Sequence, residues 1–102
     1  MALLALVALV LPLAWLLGLV GAQLAVAEAA RASARVAARG DTDARVAEEA
    51  RGLVPGAVVS VRRLSEGRVE VVVRHLAEPP GPLAALGSVE LTAAATARLE
   101  VP

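Results

Sequence analysis

From Met1 to Ala27 the chain carries no charged side chain and is almost wholly apolar. That run exceeds the roughly 20 residues a helix needs to cross the hydrocarbon core of a bilayer, so it predicts a membrane-spanning helix over 1–27. Pro12 lies inside it, where it removes one backbone hydrogen bond and predicts a kink of the kind membrane helices tolerate; Trp15 follows about one turn later. No helix breaker ends the apolar run. "AEAARASARVAARG" continues as an Ala-rich helix former, with Arg31, Arg35 and Arg39 four residues apart on one face. The two halves therefore read as one helix from about Leu3 to Arg39, on the order of 55 Å long and stopped by Gly40 as the residue after the C-cap.

Beyond Gly40 the pattern shortens. "DTDARVAEEARG" suits a second helix over 42–52, capped by Asp41 or Thr42 and ended by Gly52, with Val46, Ala47, Ala50 and Leu53 on one face and Arg45, Glu48 and Glu49 facing out. The hydrophobic period then drops from 3.6 to 2. Ala57, Val59 and Val61 alternate in a strand near 57–64, and Val69, Val71 and Val73 alternate in a strand near 68–75, opposite Arg68, Glu70 and Arg74. Leu64–Gly67 joins the two as a hairpin connection. Glu78–Pro82, with three prolines that cannot donate to a ladder, is a loop. A last strand near 88–100 places Val89, Leu91, Ala93, Ala95, Ala97, Leu99 and Val101 on one side, small enough in its middle to lie against a close-packed helix. The expected fold is α+β: a long N-terminal helix, transmembrane over 1–27, then a small domain over 28–102 in which helix 28–39 and the short second helix pack on a three-stranded antiparallel sheet.

Composition narrows the chemistry. Ten basic and ten acidic residues cancel, which gives no electrostatic argument for nucleic acid or an acidic partner. There is no Cys, hence no disulfide framework and no thiolate metal site. Trp15 is the sole aromatic side chain of the Phe, Tyr and Trp set, so the domain has no platform on which bases could stack. His75 is the single histidine; with Glu78 it would offer two metal ligands, too few for a zinc site, and it reads as a solvated surface residue. "GPLAALGS" over 81–88 has the outline of a phosphate loop, but the chain holds no Lys to bind the phosphate. Ser33, Ser60, Ser65 and Ser88 stand in no nucleophile-elbow pattern. These residues predict neither an enzyme nor a cofactor.

On the apolar helix, Gly18 with Ala22 and Gly21 with Ala25 form small-xxx-small pairs, the spacing that lets two helix backbones approach in lipid. Arg31, Arg35 and Arg39 suit a solvated face, contact with anionic lipid, or pairing with acidic residues of a neighbouring subunit. Ala25-Val26-Ala27 also has the small-x-small form of a signal cleavage site, although a basic n-region is missing and the apolar run is longer than an h-region of 7 to 15 residues.

The succession "LALVALVLPLAWLLGLVGAQLAVAEAARASARVAARGD", "GAVVSVRRLSEGRVEVVVR" and "GSVELTAAATAR" resembles the TadE-like minor pilins of the actinobacterial tight-adherence (Tad/Flp) type IV pilus system, through Leu11-Pro12, Gln23–Gly40 and Val89–Arg98. The resemblance covers nearly the whole chain through loose patterns. It implies a type IV pilin-like fold and a non-enzymatic minor pilin or pseudopilin. Such a subunit would be held in the cytoplasmic membrane by one span, with its C-terminal domain extracytoplasmic, and would be incorporated in a surface pilus. The partners implied are the membrane, other pilin subunits and pilus assembly membrane proteins, with no nucleic acid and no small-molecule substrate. Pro12, Gly18, Gly21, Ala22, Ala25, Arg31 and Arg35 would shape helix packing in the assembly.

The family pattern also includes a basic leader and an acidic residue early in the mature helix, where the nearest residue here is Leu6. Either the start lies upstream of Met1 or the processing signal is lost. The positive-inside rule would put Arg31, Arg35 and Arg39 in the cytoplasm, against the pilin orientation, a conflict that a basic leader would remove. Two other expectations stand beside the pilin: a single-pass membrane protein whose α+β domain binds an unknown partner, and a secreted domain freed by cleavage after Ala27.

Overall fold

A computed structural model describes residues 1–79, 85 and 87–99. Helix α1 spans Ala2–Ala38, helix α2 Asp43–Leu53, and strands β1, β2 and β3 span Val58–Arg63, Arg68–Ala77 and Val89–Arg98. The molecule is 66 Å long and 20 by 17 Å across, because α1 extends far beyond the small domain that its C-terminal half helps to build.

α1 is a single helix of 37 residues, as the unbroken helical pattern from the apolar run into "AEAARASARVAA" requires; Pro12 sits inside it without interrupting it. Its end is set by local chemistry. Arg39 is still right-handed, Gly40 takes φ +86°, and the Gly40 N–H bonds to the Ala37 carbonyl at 3.0 Å. A side chain at Gly40 would have to adopt the left-handed region that only glycine enters freely. Thr42 then caps α2, its Oγ1 accepting from the Arg45 N–H at 3.3 Å.

The sheet order is β1-β2-β3, antiparallel throughout, with Val59↔Val73, Val61↔Val71 and Arg63↔Val69 on one side and Val73↔Ala93, Val71↔Ala95 and Val69↔Ala97 on the other. One face therefore gathers Val59, Val61, Val69, Val71, Val73, Ala93, Ala95 and Ala97, and this face meets α1. Val69, Val71 and Val73 of the central strand are buried, and the alanines of β3 leave room for the helix to lie close. From the helices the core receives Val26, Ala29, Ala30, Ala34 and Ala37 of α1 with Val46 and Ala50 of α2. Among the described residues the cluster contains only Val, Leu and Ala side chains, with Ser33 and Pro79 also buried. Burying each valine is worth about 1.5 kcal/mol or more, and the alanines contribute by close approach rather than by area.

The hairpin at Leu64–Gly67 is present: Glu66 (φ 64°) and Gly67 (φ 71°) both take positive φ, and the Leu64 N–H bonds to the Arg68 carbonyl at 2.8 Å. Several expectations need correction. α2 ends at Leu53 rather than Gly52, and Leu53 is exposed while Val54 is buried. The chain leaves the helix at Val54 in an extended conformation (φ −131°), which turns its side chain inward in place of Leu53. Glu49 is half-buried and does not face fully outward. Val89 is exposed, because it begins β3 at the open end of the sheet. The readings on Pro80–Pro82, on most of 81–88 and on Glu100 and Val101 lie outside the described residues.

Candidate membrane and assembly surface

The apolar half of α1 has length and composition sufficient to cross a membrane: its best 18-residue window has a mean hydropathy of 2.7, and none of that window is buried. The core helix of a water-soluble protein would be buried; this one presents Leu3 through Leu17 to its surroundings, with only Trp15 half-buried. Exposing so many large aliphatic side chains to water is unfavourable by about 25 cal/mol per Å2, so the half-helix calls for an apolar environment.

Among the described residues, packing of α1 on the domain's core starts at Leu19. Along one face Leu19, Ala22, Ala25, Val26, Ala29, Ala30, Ser33 and Ala37 pack toward the sheet, a spacing of three and four residues that keeps them on one stripe. Gln23, the lone amide in the uncharged run, donates from Nε2 to the Thr92 carbonyl of β3 at 3.1 Å. On the far side of the same turns Val20 and Leu24 remain exposed, and the first charge of the helix is Glu28. The change from apolar to charged surface along α1 thus falls between Leu24 and Glu28, within the segment that already packs on the domain.

The residues expected to shape helix packing divide into two groups. Pro12, Gly18 and Gly21 are exposed, and a Cβ at either glycine would meet nothing within 4 Å. Ala22 and Ala25 are half-buried against the chain's own core, so each small-xxx-small pair has one member turned inward. Arg31 pairs with Glu28 at 3.3 Å, one turn back on the exposed face; Arg35 and Arg39 are exposed and, among the described residues, pair with no carboxylate. An exposed pair of this kind contributes at most about 0.5 kcal/mol to the helix, so the arginines set surface charge more than stability.

The outer face of the sheet carries most of its charges, with Val58, Val72 and Leu76 among them. It carries the ion pairs Arg62–Glu70 at 3.0 Å and Arg74–Glu90 at 3.9 Å, while Arg63 reaches Asp43 at the start of α2 at 3.3 Å. His75 is half-buried and helps line an open cleft of about 310 Å3 with Gly56, Val58, Arg74, Leu76 and Glu90. No group of three or more His, Cys, Asp or Glu side chains suited to a metal ion occurs among the described residues. Ser33 is wholly buried, and its Oγ has no hydrogen-bond partner.

Sequence reasoning missed three of these features. The tie from Gln23 was signalled by its being the only amide in the uncharged run. The burial of Ser33 and the inward turn of Ala22 and Ala25 had no signal, since small residues occupy every face of that helix. Comparison with protein-family models, with curated proteins and with solved structures finds no match.

Proposed function

We propose that the chain is a non-enzymatic, membrane-anchored assembly subunit of the minor pilin or pseudopilin kind, working in a tight-adherence type pilus system. One observation carries the reading: a single helix whose N-terminal half is apolar and unpacked while its C-terminal half is built into a small α+β domain. A subunit of this form resides in the bilayer by its apolar half and exchanges lipid for neighbouring subunits' helices when it enters a filament. The exposed Gly18 and Gly21 permit close approach of such a neighbour. The exposed Arg35 and Arg39 are free to meet carboxylates of adjacent domains. The C-terminal domain lies on the extracytoplasmic side.

Release of the domain by cleavage after Ala27 fits less well, since it would remove Val26, a residue with no exposed surface, from the core. The test is fractionation of the chain expressed in its host. The intact chain should appear in membranes and in surface filaments sheared from cells. Gly21→Leu, whose side chain has open space in the isolated subunit, should stay in the membrane fraction and be lost from the filaments. A soluble mature chain starting at Glu28 would overturn the anchor, and a membrane-bound chain that never enters filaments would overturn the pilin.

A further inference from the structure

Two contacts orient the sheet along α1. Gln23 holds Thr92 of β3, and Arg63 of β1 holds Asp43, just past the C-terminal end of α1. β3 therefore runs from the apolar half of α1 toward its C-terminus, and the open end of the sheet points at the membrane half. The register puts Val58, Arg74 and Thr92 in one row, Leu76 and Glu90 in the next row open to that end, and Ala77 and Val89 at the tip. At about 3.4 Å per residue the tip lies about 10 Å beyond Thr92, level with the part of α1 near Leu16, since the helix rises 1.5 Å per residue.

The change of surface along α1 forces a consequence. Val20 and Leu24 are exposed large apolar residues and Glu28 is the first charge, so in the anchored helix apolar surroundings reach past Leu24. The turns from Leu19 to Leu24, already packed on the domain, therefore share the membrane boundary, and the sheet end packed beside them shares it too.

That end is equipped for such a position. Leu76 is 62% exposed, Val58 60% and Val89 40%, three of the exposed large apolar residues described in the domain, with Leu24 at 62% on the opposite side of α1. Leu53, at the end of α2, is the remaining exposed large apolar side chain among the described residues of the domain. The charges on these rows are the Arg74–Glu90 pair, with Glu78 following β2. Charge mixed with aliphatic side chains suits the boundary between headgroups and acyl chains and excludes the hydrocarbon centre.

We infer that the rim formed by Val58, Leu76 and Val89 seats the domain on the lipid surface of the membrane that holds α1, fixing its height and rotation about the helix. This rests on the membrane-anchor part of the proposed function. The seated domain holds α1 in one rotational setting, so Gly18, Gly21 and the arginine face are presented outward to the next subunit instead of turning freely.

The chain has no native cysteine, which permits single nitroxide labels on the full protein in phosphatidylcholine vesicles, at Leu76→Cys, Val58→Cys, Thr96→Cys and Leu13→Cys. Leu76, Val58 and Thr96 are exposed, so the labels leave the core intact. Collision rates with oxygen, which concentrates in lipid, and with a water-soluble nickel chelate report depth. The labels at 76 and 58 should show nickel collision rates several-fold below the label at 96, on the same face but at the far end of the sheet, and oxygen rates above it. Equal nickel access at 58, 76 and 96, with the label at 13 deep in lipid, would overturn the seat and leave the anchor standing. A label at 13 open to nickel would overturn the anchor itself. Protection at 76 and 58 that disappears when the lipid-to-protein ratio is raised would mean that a second copy covers the rim, and would also overturn the inference.

Discussion

Cutting α1 between Ala27 and Glu28 should destabilise the domain nearly to the point of unfolding. The cut removes Val26, fully buried between α1 and the sheet, worth about 1.5–3 kcal/mol by its transfer from water. It also removes the half-buried Leu19, Ala22 and Ala25, together worth on the order of 1–2 kcal/mol, and the hydrogen bond from Gln23 to Thr92, worth about 0.5–1 kcal/mol. The loss is roughly 4 kcal/mol, against about 4–10 kcal/mol available to a domain of this size. The remainder of α1, Glu28–Ala38, is also shorter than the roughly 12–15 residues at which a helix begins to hold on its own.

The assay is thermal unfolding by far-UV circular dichroism, with residues 28–102 and the full chain in the same mild detergent. The shortened chain should melt about 20 °C lower or show no cooperative transition, since 1 kcal/mol moves the midpoint of so small a domain by about 4–8 °C. Val26→Ala in the full chain isolates the largest contribution and should lower the midpoint by about 10 °C, a loss of about 2 kcal/mol. Melting of 28–102 within a few degrees of the full chain would refute the reasoning and restore the secreted domain as a competitor.

Thr42→Ala removes the oxygen that accepts from Arg45 N–H and should cost about 1 kcal/mol in urea unfolding, with an unchanged slope against denaturant. Glu66→Asn should stabilise by about 0.5–1 kcal/mol, because Glu66 sits at φ 64° in a turn with two positive-φ residues, where asparagine is at ease. The Glu66–Arg68 pair it gives up, 3.9 Å apart and exposed, is too weak to reverse the sign. Ser33→Ala should raise stability by about 1–2 kcal/mol, since it deletes a buried hydroxyl without a partner; a loss of about 1 kcal/mol would mean that Oγ bonds to a carbonyl of its own helix.

Where side chains differ strongly in polarity or size, the sequence was enough to read the structure. Gly40 and Thr42 mark the break between the helices through backbone freedom and an oxygen at the cap. The Val69, Val71 and Val73 alternation defines which face of β2 is covered, and the small residues of β3 signal the close approach of α1. α1 from Ala22 to Ala38 is different. Alanine lies on all sides of it, so periodicity does not separate the face that packs on the sheet from the face left open, and Ala22 and Ala25, expected in packing against a neighbouring helix, are half-buried on the chain's own core. Leu53 and Val54 failed for a related reason: extending the helical period one residue too far exchanges an inward for an outward position.

The same uniformity suits a helix that serves two environments. Alanine has high helix propensity and little surface, so α1 remains one helix whether lipid, another helix or the sheet lies against it. Specificity must then come from the few residues that are not alanine. Gln23 ties the sheet to one height along the helix, Val26 packs between them, and in the proposed anchor the change from Leu24 to Glu28 sets the level of the membrane surface. All three fall within two turns, so the depth of insertion and the docking of the domain are coupled: a variant that shifts one must strain the others. Moving the charge inward with Leu24→Arg would therefore raise the boundary on the helix, lift the Leu76 rim away from lipid, and increase nickel access at a label on residue 76. The fold would stay unchanged, because Leu24 lies outside the core.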